Sequence, residues 1–248
     1  NLPDLKNILS LEELISNKTE IPPPQSKVNE ENLAVLIYTS GTTGKPKGVM
    51  LSHKNIMSNV VACSEVISIT KHDSFVSVLP LHHTFECTAG FLAPMFVGAT
   101  VTYVGSLKSR DIVEAMKESE ATVMLGVPLL YEKMYTGIMR KISLQPLITR
   151  TVFKLLKGVV ILGEVFNSRL GTILFKSLRD KGGLGTIRFF VSGAAALPPD
   201  VAKGFDRLGL RILQGYGLTE ASPVVSVHRV NEPANFDSVG PVINGVEI

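Results

Sequence analysis

The densest group of residues able to carry out chemistry lies in segment 38–48, which reads YTSGTTGKPKG. Its short hydroxyl side chains can donate hydrogen bonds at little entropic cost, and its glycines let several backbone N–H groups point toward one centre. Two lysines add positive charge, so these residue types predict a loop that binds a polyphosphate. The expected contacts are Thr39, Ser40, Gly41, Thr42, Thr43, Gly44, Lys45 and Lys47.

A surface turn rich in Ser, Thr and Gly is the simpler interpretation of this loop. Such a turn has little need for so many hydroxyls, glycines and lysines in one short segment. The loop also differs from a Walker A motif, because Gly44 follows Gly41 too soon and Pro46 stands where that motif has Ser or Thr. The sequence therefore disfavours a P-loop kinase or ATPase.

A second turn, QGYGLTE, supplies groups that a nucleotide would need. Gly215 and Gly217 permit a sharp turn at the C-terminal end of a predicted strand, which is where open α/β sheets bind ligands. The ring of Tyr216 can stack on a purine, the hydroxyl of Thr219 can bond a phosphate oxygen, and the carboxylate of Glu220 can hold Mg²⁺. The alternative is a glycine-rich turn with a solvated glutamate.

Small residues mark a third candidate segment, Gly193, Ala194 and Ala195, shortly after a predicted strand. Without bulky side chains, a flat ligand could lie close to the backbone there. Small residues serve helix–sheet packing equally well, so this signal is weak without the other two motifs.

A fourth candidate segment, PLHHTFE over 80–86, also follows a predicted strand. Its adjacent histidines, together with Glu86 and Cys87, are residue types that bind zinc. Adjacent histidines rarely converge on one tetrahedral ion, however, and no further Cys or His lies at ligand spacing. The sequence therefore disfavours a metal site in this segment.

The segment YTSGTTGKPKGVMLSH, followed later by QGYGLTE, resembles the adenylate-forming superfamily of acyl-CoA synthetases, luciferase-like ligases and adenylation domains of peptide synthetases. The resemblance runs from about residue 32 to the end and is greatest to bacterial long-chain fatty-acid CoA ligases. It implies that ATP, with Mg²⁺ as cofactor, activates a fatty acid to an acyl-adenylate. CoA then accepts the acyl group.

The resemblance also implies roles for individual residues. Tyr216 would lie beside adenine, Thr219 would contact the α-phosphate, and Glu220 would bind magnesium. The segment 193–195 would line the adenine and acyl pockets. The predicted catalytic residues are Lys47, His83, Thr219 and Glu220.

His83 is the residue that the resemblance places near the substrate carboxylate, at the mouth of an acyl tunnel. Relatives that activate amino acids carry an Asp where this chain has Thr84, so a carboxylic acid without an α-amino group is the expected substrate. Glu86 belongs to the long-chain form of this segment, but no role for it follows from the sequence.

Strand and helix patterns alternate through most of the chain, which predicts an α/β fold with a mostly parallel sheet wrapped by helices. The apolar run 33–38 is interpreted as a buried strand before the phosphate loop, and Ser52 as the N-cap of the next helix. The uncharged segment 87–107 is long enough to span a bilayer. Its glycines and Pro94 instead favour a buried helix followed by a central strand.

The predicted domain organisation follows from the same resemblance. Residues 1–31 are interpreted as an N-terminal segment with a Pro-rich linker, and residues 32–248 as part of an AMP-binding domain. The chain ends before the family's small C-terminal domain, so we expect the isolated chain to turn over little. Two alternatives stay open: an adenylating domain that loads a carrier protein or activates an aryl acid, and a noncatalytic nucleotide-binding module.

Composition limits the partners and the compartment. A net charge of +3 is too small to indicate nucleic-acid binding, and two cysteines without a disulfide pattern favour the reducing cytoplasm. Basic residues on an apolar helical background over 133–157 could contact the inner face of an anionic membrane. A solvated helix face is the more usual explanation of such a pattern. Nothing in the sequence indicates the oligomeric state.

Overall fold

A six-stranded β-sheet organises the computed structural model, which describes residues 27–39, 45–164 and 169–248. Its strands are β3 (Ser74–Ser77), β4 (Thr100–Tyr103), β5 (Val123–Gly126), β6 (Phe189–Ser192), β7 (Ile212–Gly217) and β8 (Val224–Val227). The strand order is β4-β3-β5-β6-β7-β8, in which the first five strands are parallel and β8 runs antiparallel to β7. This sheet confirms the predicted fold class.

Helices connect the parallel strands, because a parallel pair requires a crossover connection. They are α1 (His53–Val66), a π-helix (Glu86–Leu92), α2 (Ala93–Val97), α3 (Ser109–Glu118), α4 (Pro128–Ser143), α5 (Leu147–Glu164), α6 (Leu170–Leu174), α7 (Lys176–Gly182) and α8 (Pro199–Arg207). A short 3₁₀ turn covers Thr219–Ala221. Among the described residues, no helix is both long enough and apolar enough to cross a bilayer.

The central strands β5 and β6 are buried on both faces because helices pack on each side of the sheet. Val123 and Phe189 belong to a core shared with α1, the π-helix and α2, whereas Met124 and Phe190 belong to a core shared with α3, α4 and α8. Burial of each such side chain stabilises the fold by about 1.5–3 kcal/mol. The packed core therefore holds the strand ends, and the polar loops that follow them, in fixed positions.

Helix α1 begins where the sequence predicts. The hydroxyl of Ser52 accepts a hydrogen bond from the backbone N–H of Asn55 at 3.2 Å, and the Asn55 side chain accepts one from the Ser52 N–H at 3.0 Å. This capping box satisfies two backbone donors at the start of the helix. It also sets the direction in which α1 leaves the preceding strand.

The apolar run at 33–38 is not the buried strand that the sequence predicts. Strand β1 (Leu33–Thr39) pairs with β2 (Lys47–Ser52) in a separate two-stranded antiparallel sheet. Leu36 and Tyr38 are exposed within the described structure. An uninterrupted apolar run predicts a strand well, but it does not show which neighbours cover that strand.

The prediction of a central strand after residue 98 is also wrong. Strand β4 lies at the edge of the sheet beside β3, and half of the Tyr103 side chain is exposed. The preceding segment is helical as predicted, but it begins as a π-helix and its α-helical end leaves Met95 and Phe96 exposed. Strand order depends on crossover topology, which apolar periodicity does not encode.

Candidate active site

The candidate active site lies at the carboxyl ends of β3, β6 and β7, where open α/β sheets place their ligands. A cavity of about 530 Å³ opens between the loops that follow these strands. Seven residues predicted from the sequence contribute to its lining: His83, Gly193, Ala194, Gly215, Tyr216, Gly217 and Thr219. The structure therefore brings three of the four predicted segments together around one space.

The cavity has an exposed end and a buried end of different character. His83 and Tyr216 are exposed, and Thr219 is partly exposed beside them. The buried lining is mostly apolar and includes Cys63, Ile67, Ala89, Val191 and Val227. Burial raises the pKa of the Cys63 thiol to about 12, so this sulfur behaves as an apolar group at neutral pH.

The small residues after β6 allow two chain segments to approach closely. A Cβ atom on Gly193 would lie 3.0 Å from the ring of Phe85, so the glycine makes room for that ring. Ala194 has a φ of 71°, in the left-handed region that residues other than glycine rarely adopt. Ala195 is exposed beside this turn but does not line the cavity.

A buried asparagine that the sequence analysis missed holds the turn that carries Thr219 and Glu220. The Asn59 side chain donates to the carbonyl of Val224 at 2.8 Å and accepts from the N–H of Val224 at 3.2 Å. Thr88 adds a hydrogen bond to the carbonyl of Ser222 at 3.2 Å. The available signal was a polar residue next to Val60 and Cys63 on the inward face of α1.

The first motif lies beside the second one. Thr39 at the end of β1 pairs with Lys47 at the start of β2, and β2 packs beside the 3₁₀ turn that contains Glu220. Lys45 and Lys47 are exposed. The predicted contacts Ser40, Gly41, Thr42, Thr43 and Gly44 lie outside the described residues, and none of Thr39, Lys45, Lys47 or Glu220 lines the cavity.

These residues fit a nucleotide with a bound magnesium ion. Lys47 and Glu220 are exposed, and neither forms a salt bridge within residues 27–39, 45–164 and 169–248. Mg²⁺ is typically held by one or two carboxylates together with substrate phosphates, so a single free glutamate is an appropriate protein ligand. Across the same described residues, no three His, Cys, Asp or Glu side chains cluster as a ready metal site.

Comparison with known proteins identifies the family. The model of the family described as "AMP-binding enzyme" matches residues 2–248. This chain belongs to that family. Its curated relatives include the peroxisomal long chain acyl-CoA synthetase 7 of Arabidopsis thaliana, 32% identical over 88% of this chain and 32% of the relative.

Yeast relatives of this AMP-binding chain give the same result. The long-chain-fatty-acid–CoA ligase 4 of Saccharomyces cerevisiae is 33% identical over 95% of the chain and 34% of the relative. The long-chain-fatty-acid–CoA ligase 1 of Schizosaccharomyces pombe is 32% identical over 99% of the chain and 37% of the relative. The chain thus spans about a third of the length of these relatives.

Solved structures of adenylate-forming enzymes share the fold of this AMP-binding chain. A malonyl-CoA ligase, in a ternary product complex with methylmalonyl-CoA and AMP, superposes with a TM-score of 0.68 at 25% identity, over 90% of this chain and 41% of that one. ATP-bound MatB from Rhodopseudomonas palustris superposes with a TM-score of 0.65 at 25% identity, over 88% of this chain and 35% of that one. Both confirm the predicted fold.

Proposed function

We propose that this chain forms the adenylating part of an AMP-forming acid–thiol ligase, which activates a long-chain fatty acid with ATP and passes the acyl group to CoA. The observation that carries this proposal is the cavity, whose buried lining is mostly apolar and whose exposed end is formed by His83, Tyr216 and Thr219. An aliphatic chain suits the buried end, and a carboxylate suits the polar end. Relatives named as long-chain acyl-CoA ligases support the same assignment.

The first half-reaction joins two anions, since the fatty carboxylate attacks the α-phosphorus of ATP and pyrophosphate leaves. Lys47 and the hydroxyls of segment 39–43 would hold the phosphates and lower this repulsion. Thr219 would bond an α-phosphate oxygen, and Tyr216 would stack on adenine. When bound, Mg²⁺ on Glu220 would counter the charge that develops between the α- and β-phosphates.

The acid is proposed to enter with its carboxylate at the exposed end of the cavity. His83 lies there and can orient or hydrogen bond the carboxylate. Thr84 carries no charge that would pair a substrate ammonium group, which disfavours an α-amino acid. In the second half-reaction the CoA thiol displaces AMP from the acyl-adenylate and forms the thioester.

Pyrophosphate exchange by the full-length protein tests this function across acids from acetate to palmitate. We expect exchange to increase with chain length, because a longer chain fills more of the apolar cavity. Exchange with aryl acids or amino acids, but with no aliphatic acid, would contradict the proposal.

A carrier-loading or aryl-acid-activating enzyme is the second candidate within the family. The fold and the nucleotide residues serve those reactions equally well, since the acceptor thiol arrives after adenylation. Acyl transfer to a phosphopantetheine protein without dependence on free CoA would identify carrier loading. A noncatalytic module is less favoured, because exposed Lys47 and Glu220 beside one turn have no packing role.

We also propose that the outer face of α5 contacts an anionic membrane. Apolar side chains exposed to solvent recur there mostly at intervals of three or four residues, so they form a continuous stripe. The members of this α5 outer face are Leu147, Ile148, Val152, Leu155, Val159 and Leu162. On the opposite side, Val160 is buried and Phe153 and Leu156 pack around it. A surface helix ordinarily has only one apolar face.

Charge on α5 supports an anionic lipid surface as the partner of this face. Arg150, Lys154 and Lys157 lie along one edge of the stripe, and within the described part of the chain none of them forms a salt bridge. Lysine and arginine beside an apolar stripe are typical of helices that lie in a membrane interface. The sequence predicts one membrane-contacting segment over 133–157, but this segment is divided between α4 and α5. The proposed contact face lies on α5 alone.

A further inference from the structure

The carboxyl group of Glu86, at the end of segment 80–86, is buried in the wall of the cavity. The chemistry proposed above gives this residue no role. Glu86 is the first residue of the π-helix, is 0% exposed and contributes to the cavity lining. It directly follows the loop that carries His83 and Phe85. π-Helical turns are uncommon and often lie at functional sites.

The contacts of Glu86 tie the π-helix to the sheet. Its Oε1 accepts a hydrogen bond from the hydroxyl of Ser77, the last residue of β3, at 2.5 Å. The carboxyl group lies against the backbone of Gly90, where a Cβ atom would be 2.6 Å from Oε1. Any larger residue at position 90 would displace the carboxyl group, so Glu86, Ser77 and Gly90 form one packed unit.

The second oxygen of this carboxyl group has no hydrogen-bond partner among the described residues. A buried carboxylate without a cation is costly, so the neutral acid is the form that suits this position. Burial raises the pKa of Glu86 to about 7, although the Ser77 hydrogen bond opposes that rise. Its titratable neighbours are Cys87 on the same helix, Tyr103 on β4, Tyr131 on α4, and His83 and Cys63 around the cavity.

We propose that Glu86 is a positioning residue, whose buried hydrogen bond to Ser77 fixes the start of the π-helix and thereby holds His83 and Phe85 at the acid cavity. The backbone supports this link, because the carbonyl of His83 accepts a hydrogen bond from the N–H of Cys87 at 2.9 Å. The Phe85 ring is in turn packed over Gly193 on the far side of the cavity. The inference rests on the proposed function of this cavity.

Ionisation of Glu86 would change the same wall. An ionised Glu86 side chain would repel the incoming fatty carboxylate. Its burial in the apolar wall would also become unfavourable. We therefore expect the KM for the acid to rise as the pH increases through about 7, while the KM for ATP changes less.

Three variants of the full-length protein test this role: Glu86→Gln, Glu86→Ala and Ser77→Ala, with the exposed Glu118→Gln as the control. Glu86→Gln keeps a hydrogen-bonding group without a titratable proton, so the acid KM at pH 6 stays within about twofold of wild type and its pH dependence disappears. Glu86→Ala raises the acid KM about tenfold or more, since small displacements of a substrate-orienting group have large effects. Ser77→Ala has an intermediate effect, and Glu118→Gln none.

Thermal unfolding provides a readout that does not depend on activity. Because the folded-state pKa of Glu86 lies above its unfolded value, the proton contributes stability that is full below about pH 4.5 and is lost as the pH rises through about 7. As the pH rises between these values, the melting temperature of wild type should therefore fall relative to that of Glu86→Gln. This comparison still applies if Glu86→Ala does not fold.

Two results would overturn the proposal: a folded Glu86→Ala protein with an unchanged acid KM, or a Glu86→Gln protein with the wild-type pH dependence of that KM. Absence of pyrophosphate exchange by wild type with every acid would instead refute the proposed function. In that case the melting comparison would still show whether Glu86 is a buried neutral acid.

Discussion

At the residue scale, the proposed chemistry depends most on two exposed charges, Lys47 at the start of β2 and Glu220 in the neighbouring 3₁₀ turn. Each lies on a short element that packs beside the other, and neither is neutralised by an ion pair in the described structure. An exposed lysine and glutamate in such positions contribute little to folding stability. Their loss should therefore change catalysis far more than the fold.

Glu220→Ala is expected to lower pyrophosphate exchange by about 100-fold or more, because the charge that develops on the phosphates would no longer be countered by a held cation. ATP binding should change by less than about tenfold, since the adenine and phosphate contacts remain. Exchange kinetics and ATP titration by calorimetry on the full-length protein measure the two effects separately.

The exposed Glu118→Ala on α3 is the matched control and should leave both quantities unchanged. Unaltered exchange in Glu220→Ala would show that this carboxylate is not the magnesium ligand. An equal loss of ATP binding and exchange would assign Glu220 to substrate binding in general.

Single residues also show how far the sequence could predict the site. Tyr216, Thr219 and His83 are predicted because their residue types lie at or just after strand ends, and the structure places all three around one cavity. Their roles in the chemistry stay predictions. Asn59 was missed because its role depends on contact with Val224, which is 165 positions away in the chain. Contacts of that kind depend on tertiary packing rather than on local pattern.

At the element scale, the sequence predicted which segments are strands and helices better than it predicted their neighbours. Helix α1 was predicted with its cap, and strands were predicted next to the segments at 80–86, 193–195 and 214–220, where β3, β6 and β7 lie. Strand β1 was predicted to be buried and β4 to be central, but β1 is partly exposed and β4 lies at the edge of the sheet. An apolar run does not reveal strand order. The antiparallel strand β8 was missed, because it is a short run directly after the Thr219–Ala221 turn.

The α5 outer face yields a prediction at the same scale. Co-sedimentation of the protein with vesicles of mixed anionic and neutral lipid should recover most of it at low salt. Leu155→Gln combined with Leu162→Gln should weaken this binding, because both changes remove apolar contact with the bilayer. Lys154→Glu combined with Lys157→Glu should weaken binding to anionic vesicles only.

The control is Lys71→Glu, on an exposed loop away from α5. It makes the same lysine-to-glutamate change at a single position. Absence of binding by wild type at low salt would end the membrane proposal. Equal binding to neutral and anionic vesicles would remove the role of the basic edge. Concentration-dependent self-association abolished by the leucine changes would assign the face to a second copy of this chain.

At the scale of the whole molecule, the cavity lies at the carboxyl ends of the six-stranded sheet, and the separate sheet that carries Lys47 packs beside the Thr219–Ala221 turn. The cavity is bounded by the loops after β3, β6 and β7, and the Lys47 strand lies beside the turn that closes it. A ligand that spans both regions should therefore bind more tightly than either half. The expected order of affinity is an acyl-adenylate analogue first, and AMP or a fatty acid alone well below it.

A non-reactive palmitoyl sulfamoyl adenosine tests this order through thermal unfolding of the full-length protein. At 100 times its Kd such a ligand adds about 2.7 kcal/mol of stability and therefore raises the Tm of the full-length protein. At the same concentration, AMP and palmitate together should give a much smaller increase, because two separate ligands lose more translational and rotational freedom.

Analogues with benzoyl and alanyl groups in place of palmitoyl distinguish the candidate substrates within the same experiment. The apolar buried lining predicts the order palmitoyl, then benzoyl, then alanyl, since less apolar surface is buried in each successive complex. An equal shift for all three would mean that the adenosine portion alone is recognised and that the cavity does not hold the acid. A larger shift for benzoyl would favour the aryl-acid enzyme, in which the cavity accepts a short flat ring.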